Sequence, residues 1–239
     1  MGRLADLLAD RFDGRTPPGT EGSDEDNAVL DLATRIAENP RTVALPDGRR
    51  LGYADCGDPE GDPLVVCHGF PNSRVFGALF DAVGRQEGVR VLTPDRPGMG
   101  VSDPALDRSL TDWPEDVRAL LDALDVGTAS VLGVSGGGPY AAATGALLED
   151  RVSHVGIVCG VAPMASVEFR ERLWYYAARV APPASKLALW LLGRRALRER
   201  EGFLESLAED AAPADGPLWR GDVGRVVHAS MVESSRHHG

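Results

Sequence analysis

Lysine is all but missing from this chain. Lys186 is the single lysine among 25 basic residues, and 36 acidic residues leave a formal net charge of −11. A surface this acidic repels phosphate backbones and anionic lipid headgroups, which argues against nucleic acid and membrane as partners. Acidity with arginine in place of lysine suits a high-salt cytoplasm, where dense carboxylates maintain solubility. A GC-rich genome produces the same codon bias, and both readings stay open. Cysteine is scarce as well: Cys56, Cys67 and Cys159 form an odd set with no Cys-x-x-Cys pair. That excludes the usual zinc and redox motifs and argues against a disulfide framework. Cys67 and Cys159 end apolar runs and are expected to be buried free thiols of a reduced compartment. No apolar run approaches a membrane span, and Asp6 and Asp10 break up the N-terminal apolar pattern, so no signal-peptide core is read there. The expected location is cytoplasmic. No internal repeat is present.

The 239 residues fit one large α/β domain, and a hydrophobic fraction of 43% is enough to fill a core. Residues 1–40 read as a helical arm and linker: helical spacing over 4–12, a Gly/Pro/acid-rich stretch over 14–27, and a short helix over 29–37. Residues 41–163 read as the core. Two short strands flank Pro46-Asp47-Gly48 as a hairpin. The runs 64–67, 89–92, 130–134 and 155–159 then alternate with helical patterns at 75–83, 113–124 and 139–148. Alternation with short loops means parallel βαβ units, with helices on both faces of the sheet. Ligands of such sheets bind beyond the carboxyl ends of the strands, here the segments after Cys67, Leu92, Val134 and Cys159. Residues 164–239 read as a helical lid, with helices over 168–180, 185–200, 203–207 and 222–233.

Chemistry is concentrated in Gly133-Val134-Ser135-Gly136-Gly137. The pattern is G-x-S-x-G, with a buried strand running into it and a helix running out, the context of a nucleophile elbow. Gly133 and Gly137 let the chain turn sharply around a strained serine. Ser135 is the candidate nucleophile, and the Gly136 N–H at the helix start points where an oxyanion would form. The second oxyanion donor is expected from the loop after an earlier strand. His68-Gly69-Phe70-Pro71 is that loop, and the Phe70 N–H is the candidate. His68 reads as a residue that holds the loop by hydrogen bonds, and Asp95, in Asp95-Arg96-Pro97-Gly98-Met99-Gly100-Val101-Ser102, as a loop-stabilising carboxylate.

Together these three segments resemble the α/β-hydrolase superfamily, in particular its small intracellular esterase-like and haloperoxidase-like branch, over about residues 41–163. The resemblance implies an eight-stranded, mostly parallel sheet, a helical lid after the sixth strand, acyl transfer through Ser135 and no cofactor. A serine at the elbow argues against the dehalogenase and epoxide hydrolase branches, which use an aspartate there. The implied substrate is a small molecule with an ester-like bond; ester, thioester, lactone and carbon–carbon cleavage all stay open, as does the oligomeric state. Lid aromatics Phe169, Trp174, Tyr175, Tyr176 and Trp190 are candidates for an acyl pocket or for packing between lid helices.

In this fold the triad order is Ser, acid, His, after strands that no pattern here supplies. His154 starts a strand at the wrong end of the sheet, His228 lies in a helix, His237 and His238 lie in the tail, and Glu168 reads as a solvated charge. The expectation is a fragment of a longer enzyme; the alternative is an inactive short homologue that binds a ligand or partner. A sheet lacking its last two strands has an unprotected edge. The isolated chain is therefore expected to associate or to melt at low temperature. Size-exclusion chromatography and thermal melts check this; a sharp, reversible, monomeric melt in high salt would contradict it.

Overall fold

The structure is a computed structural model and describes residues 24–162 and 198–235, with isolated positions between them. The helix expected over 4–12, most of those over 168–180 and 185–200, and Phe169, Trp174, Tyr175, Trp190, Glu168, His237 and His238 lie outside the described residues, whereas Tyr176 is described and exposed.

The hairpin expected around Pro46-Asp47-Gly48 joins β1 (Arg41–Ala44) to β2 (Arg50–Gly57). Gly48 takes a φ of 87° in that turn, a conformation glycine adopts without strain. Four further strands follow: β3 (Asp62–Cys67), β4 (Val89–Pro94), β5 (Ala129–Val134) and β6 (Val152–Val158). Among the described residues they form one sheet in the order β1-β2-β4-β3-β5-β6. The β1–β2 and β2–β4 pairs are antiparallel, and β4, β3, β5 and β6 run parallel. The α/β architecture read from the alternation is therefore present.

Period-two alternation divides the sheet between two layers. Val65, Cys67, Leu92 and Val131 face one side, where they pack on Trp113, Val117, Leu120 and Leu121 of α3 (Trp113–Ala123) and Ala141 of α4 (Gly138–Leu147). Val66, Val91, Ala54 and Cys56 face the other side and meet Phe76, from a 3-10 stretch (Arg74–Phe80) that leads into α2 (Asp81–Glu87). The single helix expected over 75–83 is thus two pieces. On the same side, α1 (Asp24–Glu38) begins inside the stretch read as linker. Its Ala33 and Ala37 share a cluster with Val75, Ala78, Val226 and Ala229. The last two residues belong to α7 (Asp222–Ser234), which follows α5 (Arg200–Asp210) and α6 (Gly216–Arg220). Arm, core and C-terminal helix thus pack as one body around the 3-10 stretch.

Polar ties hold α7 in place. The Ser73 N–H donates to Ser230 Oγ at 2.8 Å, and the Ser234 hydroxyl donates to the Pro71 carbonyl at 2.6 Å. Arg74, fully buried, pairs with Asp95 at 2.9 Å and with Glu233 at 2.8 Å, joining β4's loop to α7. Burial pushes the Asp95 pKa up, and the adjacent Arg74 charge opposes that shift. One expectation fails. Cys56 and Cys67 are buried, their thiols pushed up to about 12 by burial, but Cys159 is exposed. Among the described residues β6 is an edge strand, and its Val155, Ile157 and Val158 are also open, so an apolar run did not guarantee cover at its end.

Removing one member of a buried ion pair strands the other charge, at a cost of about 3–5 kcal/mol. Arg74→Met is expected to lose that much in urea unfolding. Arg85→Met, which removes an exposed arginine from its pair with the half-buried Asp81, is expected to lose less than about 1 kcal/mol. Equal losses would sink the assignment.

Candidate active site

Strand register builds the site. Cys67 of β3 lies opposite Gly133 of β5, and Val65 lies opposite Leu92 of β4. Counting forward, Gly69 comes level with Ser135, Phe70 with Gly136, and Arg96 with Gly69. The three segments singled out by sequence therefore leave one edge of the sheet side by side.

Ser135 takes a φ of 52°, the left-handed region that costs a non-glycine residue about 1–3 kcal/mol when imposed by its surroundings. Its side chain is exposed, as an elbow requires. The tight turn depends on its glycines. A β-carbon at Gly133 would lie 2.7 Å from Ala141 Cβ, and one at Gly137 would overlap the Cys67 carbonyl. The chain turns through a short 3-10 segment (Ser135–Gly137) into α4, with Pro139 in the first turn. Beside the elbow, a β-carbon at Gly69 would touch Ser135 Cβ at 3.4 Å, and one at Gly136 would lie 3.2 Å from the Phe70 nitrogen. The backbone nitrogens read as oxyanion donors thus lie in adjoining segments beside the serine.

His68 is fully buried and bridges two loops. Its Nδ1 donates to the Gly69 carbonyl at 2.9 Å, and its Nε2 accepts from the Arg96 N–H at 3.4 Å, the arrangement of a neutral ring. Burial pushes its pKa down to about 3, with the Arg96 charge adding to the shift. Asp95 is equally occupied: it accepts from the Arg74 backbone N–H and guanidinium and from the Val101 N–H at 3.0 Å. Both hold loops, as their sequence context suggests.

The sequence pattern gives no role to Arg96, which stands inside the Asp95–Ser102 loop, or to Tyr140, five residues after Ser135. In the structure the Arg96 guanidinium lies over the Tyr140 ring at 5.0 Å and donates to the Gly69 carbonyl at 2.8 Å. The available signal was position: Arg96 follows Asp95 directly in a loop of the same sheet edge.

The later histidines do not reach the serine. His154 sits in β6 near the level of Ser130, roughly 17 Å along the strand from Ser135 at about 3.3 Å per residue. His228 is buried in α7 against Phe203 of α5, at a ring separation of 6.2 Å. Among the described residues no hydrogen bond joins the Ser135 hydroxyl to a histidine or a carboxylate, and no three His, Cys, Asp or Glu side chains cluster as a metal site would require. No helix among them is long and apolar enough to cross a membrane.

Residues 62–212 match a family described as alpha/beta hydrolase fold. The dihydrolipoyllysine-residue acetyltransferase component of the acetoin cleaving system of Pseudomonas putida is 31% identical over 201 residues, 77% of this chain and 54% of that protein. A non-heme chloroperoxidase of Streptomyces lividans is 34% identical over 125 residues, 52% of this chain and 45% of that protein. An esterase of known structure from Exiguobacterium antarcticum is 18% identical with a TM-score of 0.48, covering 81% of this chain and 71% of its own. The chain spans about half the length of these two curated relatives.

The His68 environment makes a testable claim about pH. A ring with a pKa near 3 in the fold and about 6.5 in the unfolded chain favours folding fully above pH 6.5. That contribution is lost as pH falls through 6.5 towards 3. Between pH 7.5 and 5 the loss is about 2 kcal/mol, readable as a falling urea midpoint. His68→Asn retains a donor for the Gly69 carbonyl and has no charge to gain, so its midpoint is expected to stay flatter over that window. A wild-type midpoint that does not move would refute the buried neutral ring.

Proposed function

From the premise that the chain belongs to the α/β-hydrolase fold family, we propose that it is the serine-bearing part of a hydrolase that cleaves an ester-like bond of a small molecule. The observation that carries this reading is Ser135, held at positive φ and exposed beside the Phe70 and Gly136 nitrogens. Ser135 Oγ attacks the substrate carbonyl and its proton passes to a base. The oxyanion of the tetrahedral intermediate is received by the N–H groups of Phe70 and Gly136, the alcohol departs with a proton, and water releases the acid from the acyl-serine. The glycines Gly133 and Gly137 serve by permitting the turn. None of these steps calls for a metal or an organic cofactor.

The base is the component this chain does not present among its described residues. That observation favours a second reading, in which the serine and its two donors bind a carbonyl ligand without turning it over. Oxyanion donors and binding alone still provide about 10³–10⁴-fold over water in enzymes stripped of triad members. Covalent labelling by a fluorophosphonate, read by intact-mass spectrometry, and hydrolysis of a p-nitrophenyl ester distinguish the two. One phosphonyl adduct on Ser135, with ester turnover reduced at least about 10³-fold in Ser135→Ala, is the result expected of the hydrolase. A folded chain that takes no label, and whose residual turnover is the same in Ser135→Ala, would be the binding protein.

A further inference from the structure

Arg96 is 6% exposed, and among the described residues no carboxylate pairs with it. That is uncommon, because a buried cation ordinarily has an anionic partner. Arginine does not escape the cost by losing its proton. Its partners are instead two carbonyl oxygens and two aromatic rings. Nη2 donates to the Gly69 carbonyl at 2.8 Å, Nη1 approaches the Gly136 carbonyl at 3.5 Å, and the guanidinium lies 5.8 Å from the Phe70 ring centre and 5.0 Å from that of Tyr140. The chemistry of the first contact matters most. The Gly69 carbonyl and the Phe70 N–H belong to one peptide unit, so a charged donor on the oxygen strengthens the N–H at the other end as a donor. The same oxygen accepts from His68 Nδ1, which fixes the plane of that peptide from a second direction. The Gly136 carbonyl belongs to the elbow, so one side chain spans both halves of the oxyanion site.

We propose that Arg96 is a positioning residue for the oxyanion site, orienting and polarising the Gly69–Phe70 peptide so that its N–H meets the developing negative charge. The role rests on the serine-hydrolase reading, yet part of it is visible without turnover. The positive charge, enclosed by Phe70 and Tyr140 with no carboxylate beside it among the described residues, is most favourable when the substrate oxygen becomes negative.

The test compares wild type with Arg96→Met and Arg96→Lys, each confirmed folded by its melt. Two readings are taken: kcat and KM on a p-nitrophenyl ester, and the Phe70 amide signal in a ¹H–¹⁵N spectrum. Loss of a direct oxyanion donor lowers kcat about 10²–10³-fold, and weakening one through its peptide is expected to lower it about 10-fold or more with KM within twofold. The Phe70 amide proton is expected to shift upfield in Arg96→Met and part of the way in Arg96→Lys, whose single ammonium reaches one carbonyl at a time. A purely structural role would lower the melting temperature and leave both the folded-state kcat and the Phe70 signal unchanged, which would overturn the proposal. Should wild type show no turnover, the hydrolase reading fails and the Phe70 signal still decides the positioning claim. Should Arg96→Met not fold, Arg96→Lys decides, and wild-type values in it would overturn the proposal.

Discussion

The register between β3 and β5 is the constraint on which the rest of the site depends. Pairing Cys67 with Gly133 sets the loop after one strand level with the turn after the other. A slip of one residue would reverse every side chain of β3 between the two faces. Val65 and Cys67 would leave the layer of Trp113 and Leu121, and Val66 would leave that of Phe76. The same slip would separate Phe70 from Gly136. Core packing and site assembly are therefore enforced by one set of contacts, and the buried apolar side chains that hold the register also hold the two nitrogens side by side.

Close backbone approach is the second condition, and it explains the density of glycine at the elbow. Gly137 lies directly against the Cys67 carbonyl, Gly138 sits 2.9 Å from Gly160 Cα as measured from where its β-carbon would be, and Gly133 accommodates Ala141. Strand, turn and helix would be forced apart by side chains at these positions. The strained φ of Ser135 is held by this crowding. The local conformation is unfavourable for serine, and burial of the strand before it and the helix after it offsets the cost.

Buried charge around the site falls into two kinds. The Arg74, Asp95 and Glu233 group links a 3-10 stretch, a loop and the C-terminal helix. It opposes cations with anions, a connection whose strength lies in fixing one arrangement over others. Arg96 is buried with carbonyls and rings for company. The first kind suits structure, since the charges answer one another. The second leaves a positive field at the sheet edge where Ser135 stands.

Sequence alone determined the layered α/β plan, the hairpin at Gly48, the burial of β3, β4 and β5 though not of β6, and the turn at Ser135. Each follows from local signals: apolar runs bounded by turn residues, and glycines where the chain must bend tightly. It also indicated the loop-holding parts of His68 and Asp95. It misjudged Cys159, because an apolar run does not say whether a neighbour covers it, and divided 75–83 wrongly, because a 3-10 stretch and a helix share much of their periodicity. Only the tertiary structure decided which side chains answer one another across the three loops: that Arg96 spans Gly69 and Gly136, that Arg74 meets Glu233 from 159 residues further along, and that α1 and α7 share a cluster with Val75. These pairings join positions distant along the chain through strand register and layer packing, and no local pattern of residues encodes which distant partner will arrive.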